Sequence, residues 1–133
     1  DFAAIFLGTN NFGSNTPIGT ISDSVDAATF YGYTRKNIAT ILGWNPALRL
    51  VFFTPLNRFD TTPVNLQGLR VLDYANAIKA LCLEYSLPVL DLNAVSGLNE
   101  LTHGIYTTDA IHPNDFGQIA CIATPAKRFF AAL

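Results

Sequence analysis

Apolar residues along this chain fall into two rhythms. Short continuous runs at 2–7, 48–54 and 89–92 alternate with longer stretches in which apolar residues recur every three or four positions. The run Phe2-Ala3-Ala4-Ile5-Phe6-Leu7 predicts a central strand buried on both faces, and Leu50-Val51-Phe52-Phe53 and Val89-Leu90-Asp91-Leu92 predict two more strands. Ala27, Phe30, Tyr31, Thr34, Ile38, Ile41 and Leu42 line one side of a helix predicted over 25–42, with Asp23 or Ser24 as its cap and Gly43 and Pro46 at its end. Val71, Tyr74, Ala75, Ile78, Leu81, Cys82 and Tyr85 form the stripe of a second helix over 69–85. A third is predicted over 114–130, with a kink or break at Pro125. Residues 8–13 read as a sharp loop at the end of the first strand. The stretches 14–23 and 57–67 read as polar surface loops, and 93–108 as irregular or partly helical.

Strand and helix thus alternate, which predicts an α/β layered fold with a parallel sheet. Such sheets bind ligands at the carboxyl ends of their strands. Two chemically distinctive stretches fall there. Gly8-Thr9-Asn10-Asn11 follows the first strand directly. Thr107-Thr108-Asp109-Ala110-Ile111-His112-Pro113-Asn114-Asp115-Phe116-Gly117 lies between the third strand and the last helix. A carboxylate three residues before a histidine on a non-helical loop can fold back onto the imidazole Nδ1 and leave Nε2 free as a base. The same residues also fit a plain turn followed by a helix start. The shared rim of the sheet favours a site.

Composition narrows the classes. The 133 residues are 50% hydrophobic and 14% charged, with a formal net charge of -2. This is a chain that folds, with no basic footprint for nucleic acid and no apolar run of membrane-spanning length. Cys82 and Cys121 sit in apolar patterns and read as two buried thiols or as a disulfide pair. His103 with Asp109 and His112 has no compact metal-ligand spacing, so no metal is expected. The chain lacks Met and opens at Asp1 directly onto an apolar strand, from which a removed or absent N-terminal portion is expected.

Gly8-Thr9-Asn10-Asn11 resembles the Gly-x-Asn-Asp block of the SGNH (GDSL-type) esterases and acylhydrolases, and Asp109-Ala110-Ile111-His112-Pro113 resembles their Asp-x-x-His-Pro block. Gly117 agrees with the same pattern; Asn11 departs from it. The resemblance implies a flavodoxin-like three-layer α/β/α fold, of which residues 1–133 would be the C-terminal part, carrying strands 3–5 and their helices. It also implies that His112 is the general base, that Asp109 orients it, and that the Asn10 amide donates to the oxyanion, with Gly8, Thr9 and Asn11 shaping that turn. No cofactor is implied.

The nucleophile is the large departure. The family carries its serine in a Gly-Asp-Ser block, and none of Ser14, Ser22, Ser24, Ser86 or Ser96 follows Gly-Asp. The expectation is a serine esterase acting on small-molecule, carbohydrate or lipid esters, with its serine on a missing upstream segment. That segment, or another chain, would cover the first strand, and the fragment alone would be inactive. The competing expectation is an SGNH-like binding or structural module without catalysis. A flavodoxin-like nucleotide or flavin binder ranks last, because no Gly-rich phosphate loop is present.

Overall fold

A computed structural model describes residues 2–60 and 63–133; Asp1, and Thr61 and Thr62 of the predicted 57–67 loop, lie outside the described residues. Strands β1 (Phe2–Phe6), β2 (Arg49–Phe53) and β3 (Val89–Leu90) form one parallel sheet in the order β1-β2-β3. Its register pairs Ala4 with Val51 and Phe53 with Leu90.

Strand β2 has cover on both faces, and its side chains divide the core in two. Leu50 and Phe52 pack with Phe30, Ile38, Tyr74 and Ile78, from helices α2 (Phe30–Trp44) and α3 (Val71–Glu84). Val51 and Phe53 pack with Leu90, Leu92 and Cys121 on the other side. The alternation follows from the two-residue strand period, and it gives the three-layer α/β/α arrangement. Each such fully buried aliphatic or aromatic side chain contributes roughly 1.5–3 kcal/mol.

Strand β1 departs from the expectation of burial on both faces. Ala3 and Ile5 pack toward α2 and α3, but Phe2 and Phe6 remain 49% and 47% exposed. The reason is topological: β2 is its only sheet neighbour among the described residues, which makes β1 an edge. Partial cover comes from aromatic edges, Phe6 against Phe53 and Phe2 against Phe130.

Other boundaries shift for local reasons. Helix α2 begins five residues later than predicted, because Asp23 is occupied elsewhere. Its carboxylate accepts from Thr20 and from Thr29 Oγ1 (2.6 Å), and Thr29 itself caps the helix at Gly32 N. The third strand is only two residues long, since Leu92 already starts helix α4 (Leu92–Val95). Helix α5 (His103–Tyr106) follows. The predicted last helix is split into α6 (Asp115–Gly117), a π-helical turn (Gln118–Ala123) and α7 (Thr124–Ala131). Pro125 has no N–H to donate and its ring crowds the preceding turn; the irregularity therefore precedes it rather than following it. No helix among the described residues is long and apolar enough to cross a membrane.

Candidate active site

At the end of β1 the chain reverses at Gly8, whose φ is 113°. A side chain there would meet Pro55 Cγ at 2.9 Å, so both the backbone conformation and the space require glycine. In place of the expected loop, the next residues form a short helix, α1 (Thr9–Gly13), pinned by buried Phe12 against Tyr74. Asn10 is exposed at its start and, with Phe6, Leu7, Gly8, Thr9 and Asn11, lines a cavity of about 200 Å³. The Asn11 amide also donates to Thr16 Oγ1 (3.5 Å). Ser14 ends α1 with its hydroxyl donating to the Asn10 carbonyl (2.7 Å).

The second stretch is a tight loop closed on itself. Thr107 bridges Pro113, and Thr108 N donates to the His112 carbonyl (2.9 Å). Within that loop Ala110 adopts φ 64°, a left-handed conformation uncommon for alanine, with its N–H donating to Thr107 Oγ1 (3.1 Å). The reversal brings Asp109 back over its own successors. Asp109 Oδ1 accepts from the backbone N–H of His112 (2.7 Å) and of Ile111 (3.1 Å), and Oδ2 lies 2.7 Å from His112 Nδ1. The backbone N–H of His112, then its ring, hold the Asp109 carboxyl down to about 2. The pair is open to solvent, His112 being 75% and Asp109 51% exposed. With Nδ1 engaged, the imidazole presents Nε2 as its free nitrogen. Asn114 then caps the next turn through Gly117 N (2.8 Å).

The segment leaving β2 touches both stretches, which sequence reasoning missed. Arg58 Nη1 donates to the Thr9 carbonyl (3.2 Å), and its Nε and Nη2 grip Asp60 at 3.1 and 2.7 Å. Its guanidinium lies over the Phe12 ring, 5.1 Å from the centroid, with the side chain only 13% exposed. The adjacent Phe59 N–H donates to the Ala110 carbonyl (2.9 Å). The Arg58 hydrogen bonds hold the Asp60 carboxyl below the usual range, while partial burial and the negative charge of Asp109 push it up. The one sequence signal was an Arg and an Asp two residues apart in a loop at the right end of a strand.

Directly after β3, Asp91 accepts from Thr54 Oγ1 (2.8 Å), the residue that follows β2, and pairs with Lys79 on α3 (2.8 Å). Burial pushes the Asp91 carboxyl up, but these bonds together outweigh it and hold it low. His103 stacks on Phe59, with centroids 5.1 Å apart. Among the described residues no group of three or more His, Cys, Asp or Glu is placed to hold a metal. Cys82 and Cys121 are both buried and free, which decides between the thiol and disulfide readings.

Comparison with known proteins bears on the family and the fold. The model of the GDSL-like lipase/acylhydrolase family matches residues 1–119. No curated protein matches the chain. Among solved structures, a protein from Lactobacillus plantarum superposes with a TM-score of 0.90 at 28% identity, over 99% of this chain and 67% of that one. A possible lipase from Chitinophaga pinensis gives 0.86 at 22% identity, over 99% and 72%. A catalytic mutant of an acetylxylan esterase from Geobacillus stearothermophilus gives 0.64 at 17% identity, over 97% and 58%. The chain therefore spans between about half and three-quarters of the length of the structures it resembles. With a family match across most of its residues and the fold to go with it, the chain belongs to the GDSL-like lipase/acylhydrolase family of hydrolases.

Proposed function

We propose that these residues carry the acid–base pair and an oxyanion donor of a serine esterase that hydrolyses O-acyl esters. The observation that carries this reading is the 2.7 Å contact between His112 Nδ1 and Asp109 Oδ2, on a loop that leaves the rest of the ring open. In the proposed cycle a serine outside these 133 residues attacks the ester carbonyl as His112 Nε2 takes its proton. The tetrahedral oxyanion accepts from the Asn10 amide. Collapse releases the alcohol, which takes the proton from His112, and leaves an acyl-serine. Water, deprotonated by His112, then releases the acid and restores the serine. Asp109 fixes the tautomer and stabilises the imidazolium. A single oxyanion donor is worth roughly 3–4 kcal/mol of barrier.

The half-exposed, apolar face of β1 and its single sheet neighbour among the described residues support a further part of the proposal. The segment bearing the serine, or another chain, covers this edge and completes the sheet. Residues 1–133 alone are then inactive. The substrate class is a small-molecule, carbohydrate or lipid ester.

The test uses the complete protein with p-nitrophenyl acetate and a fluorophosphonate probe. Expected are labelling of a serine outside residues 1–133, turnover lost in His112→Ala, and kcat lowered roughly 100- to 1000-fold in Asn10→Ala with KM little changed. Clean absence of labelling would instead favour the binding or structural module.

A further inference from the structure

The Arg58 side chain reaches α1 directly while its own peptide neighbour reaches the 109–112 loop. On one side its Nη1 donates to the Thr9 carbonyl, immediately before Asn10 in the chain. On the other, the Phe59 N–H bonds the Ala110 carbonyl, between Asp109 and His112. These two stretches are about a hundred residues apart in sequence, and α1 is short: Phe12 packed on Tyr74 holds its far turn, and Arg58 holds the turn that carries Asn10. The guanidinium cannot swing between alternatives. Two of its nitrogens are held by Asp60, Phe12 lies beneath it, and its side chain is largely buried. Its planar fork is pre-organised for this three-way arrangement in a way an ammonium is not.

The same residue has an electrostatic task. The Asp60 carboxylate feels the charge of Asp109. Unneutralised, it would add a second negative charge beside the carboxylate that serves His112. Arg58 cancels it with a two-pronged ion pair, so that Asp60 adds no unpaired charge beside the Asp109–His112 pair.

We infer that Arg58, locked by Asp60, is a positioning residue that sets the placement of Asn10 relative to the Asp109–His112 pair. It touches neither substrate nor reacting atoms and acts through the Thr9 carbonyl and the Phe59 backbone. This rests on the proposed esterase reading.

The experiment is steady-state kinetics of the complete protein on p-nitrophenyl acetate, with active sites counted by fluorophosphonate titration so that unfolded molecules do not enter kcat. Arg58→Met is expected to lower kcat per titrated site roughly 10- to 100-fold, the size of effect that small misplacement of a catalytic group produces, with KM within about twofold. Arg58→Lys, which keeps the charge and perturbs packing least, is expected to recover only part of that loss. In an Asn10→Ala background Arg58→Met is expected to cost little more, because both changes remove the same interaction. Added guanidinium is expected to restore part of the kcat of Arg58→Ala.

The inference is overturned if Arg58→Met and Arg58→Lys keep wild-type kcat per titrated site. It is equally overturned if the losses of Arg58→Met and Asn10→Ala multiply. A turnover indifferent to His112→Ala is a different outcome: it removes the esterase reading first, and this inference with it.

Discussion

The α-carbon of Gly117 faces the backbone carbonyl of Tyr106 so closely that an added Cβ would sit 2.0 Å from that oxygen. Since the obstacle is backbone, no rotamer change relieves it. Gly117 also supplies the N–H that Asn114 caps, and Asn114 N in turn donates to the Tyr106 carbonyl (2.9 Å). The turn that follows His112 is thus packed directly onto the end of α5.

Gly117→Ala is therefore expected to destabilise the complete protein by about 1–3 kcal/mol, the usual cost of overpacking, and to disturb the 107–114 loop. Urea unfolding gives the first quantity; loss of the His112 Nδ1–H resonance in the NMR spectrum reports the second. A wild-type midpoint and an unchanged resonance would show that the contact is not as tight as described.

Asp109→Asn keeps an oxygen that can accept from the backbone of Ile111 and His112, so the loop is expected to keep its shape. It removes the charge that balances a protonated imidazole. On the esterase reading kcat falls roughly 1000-fold or more, and the melting temperature falls modestly, because the charge-assisted bonds to the carboxylate become neutral ones. The two are read from p-nitrophenyl acetate turnover and a melting curve on the same sample.

The acid titration of Asp109 has a defined sign. Its ordinary pKa of 3.8 is lowered to about 2 in the folded protein, so the unfolded state binds the proton more readily. The stabilisation is complete above the unfolded value and is lost as pH falls through about 2. Carboxyl ¹³C shifts are expected to place the Asp109 midpoint near 2. In His112→Ala the midpoint rises only part of the way, because the backbone N–H groups of residues 111 and 112 remain.

Burial pushes the Cys82 thiol up to about 12 and also raises that of Cys121. Neither sulfur is then a thiolate near neutral pH, and neither is exposed. The native protein is expected to leave both thiols unreacted with Ellman's reagent at pH 8 and to release both in urea. Rapid modification without denaturant would contradict the described burial.

What the sequence displayed was the part governed by short separations. The Asp109–His112 contact spans three residues and is set by one turn, so its pattern was visible directly. The strand and helix alternation was likewise local, and with it the parallel sheet. The Arg58 to Thr9 bond spans 49 positions, and nothing in the residues around either partner announces it. The start of α2 was misplaced for a similar reason: Asp23 is a good cap by type, but it serves by holding Thr29, six residues on. The exposure of β1 depends on which strands lie beside it, which an apolar run does not specify. The π-helical turn needed Pro125 to act backwards along the helix.

On the esterase reading, the left-handed alanine in the 107–113 loop bears on how the pair would meet a substrate. A non-glycine residue at φ 64° carries a local cost that the surrounding bonds to Thr107 and Phe59 must hold in place. Glycine would ease that strain, yet it would also widen the range of shapes open to the free loop. With alanine, on that reading, the imidazole is aligned before any ligand arrives, and binding energy need not be diverted to bring it there.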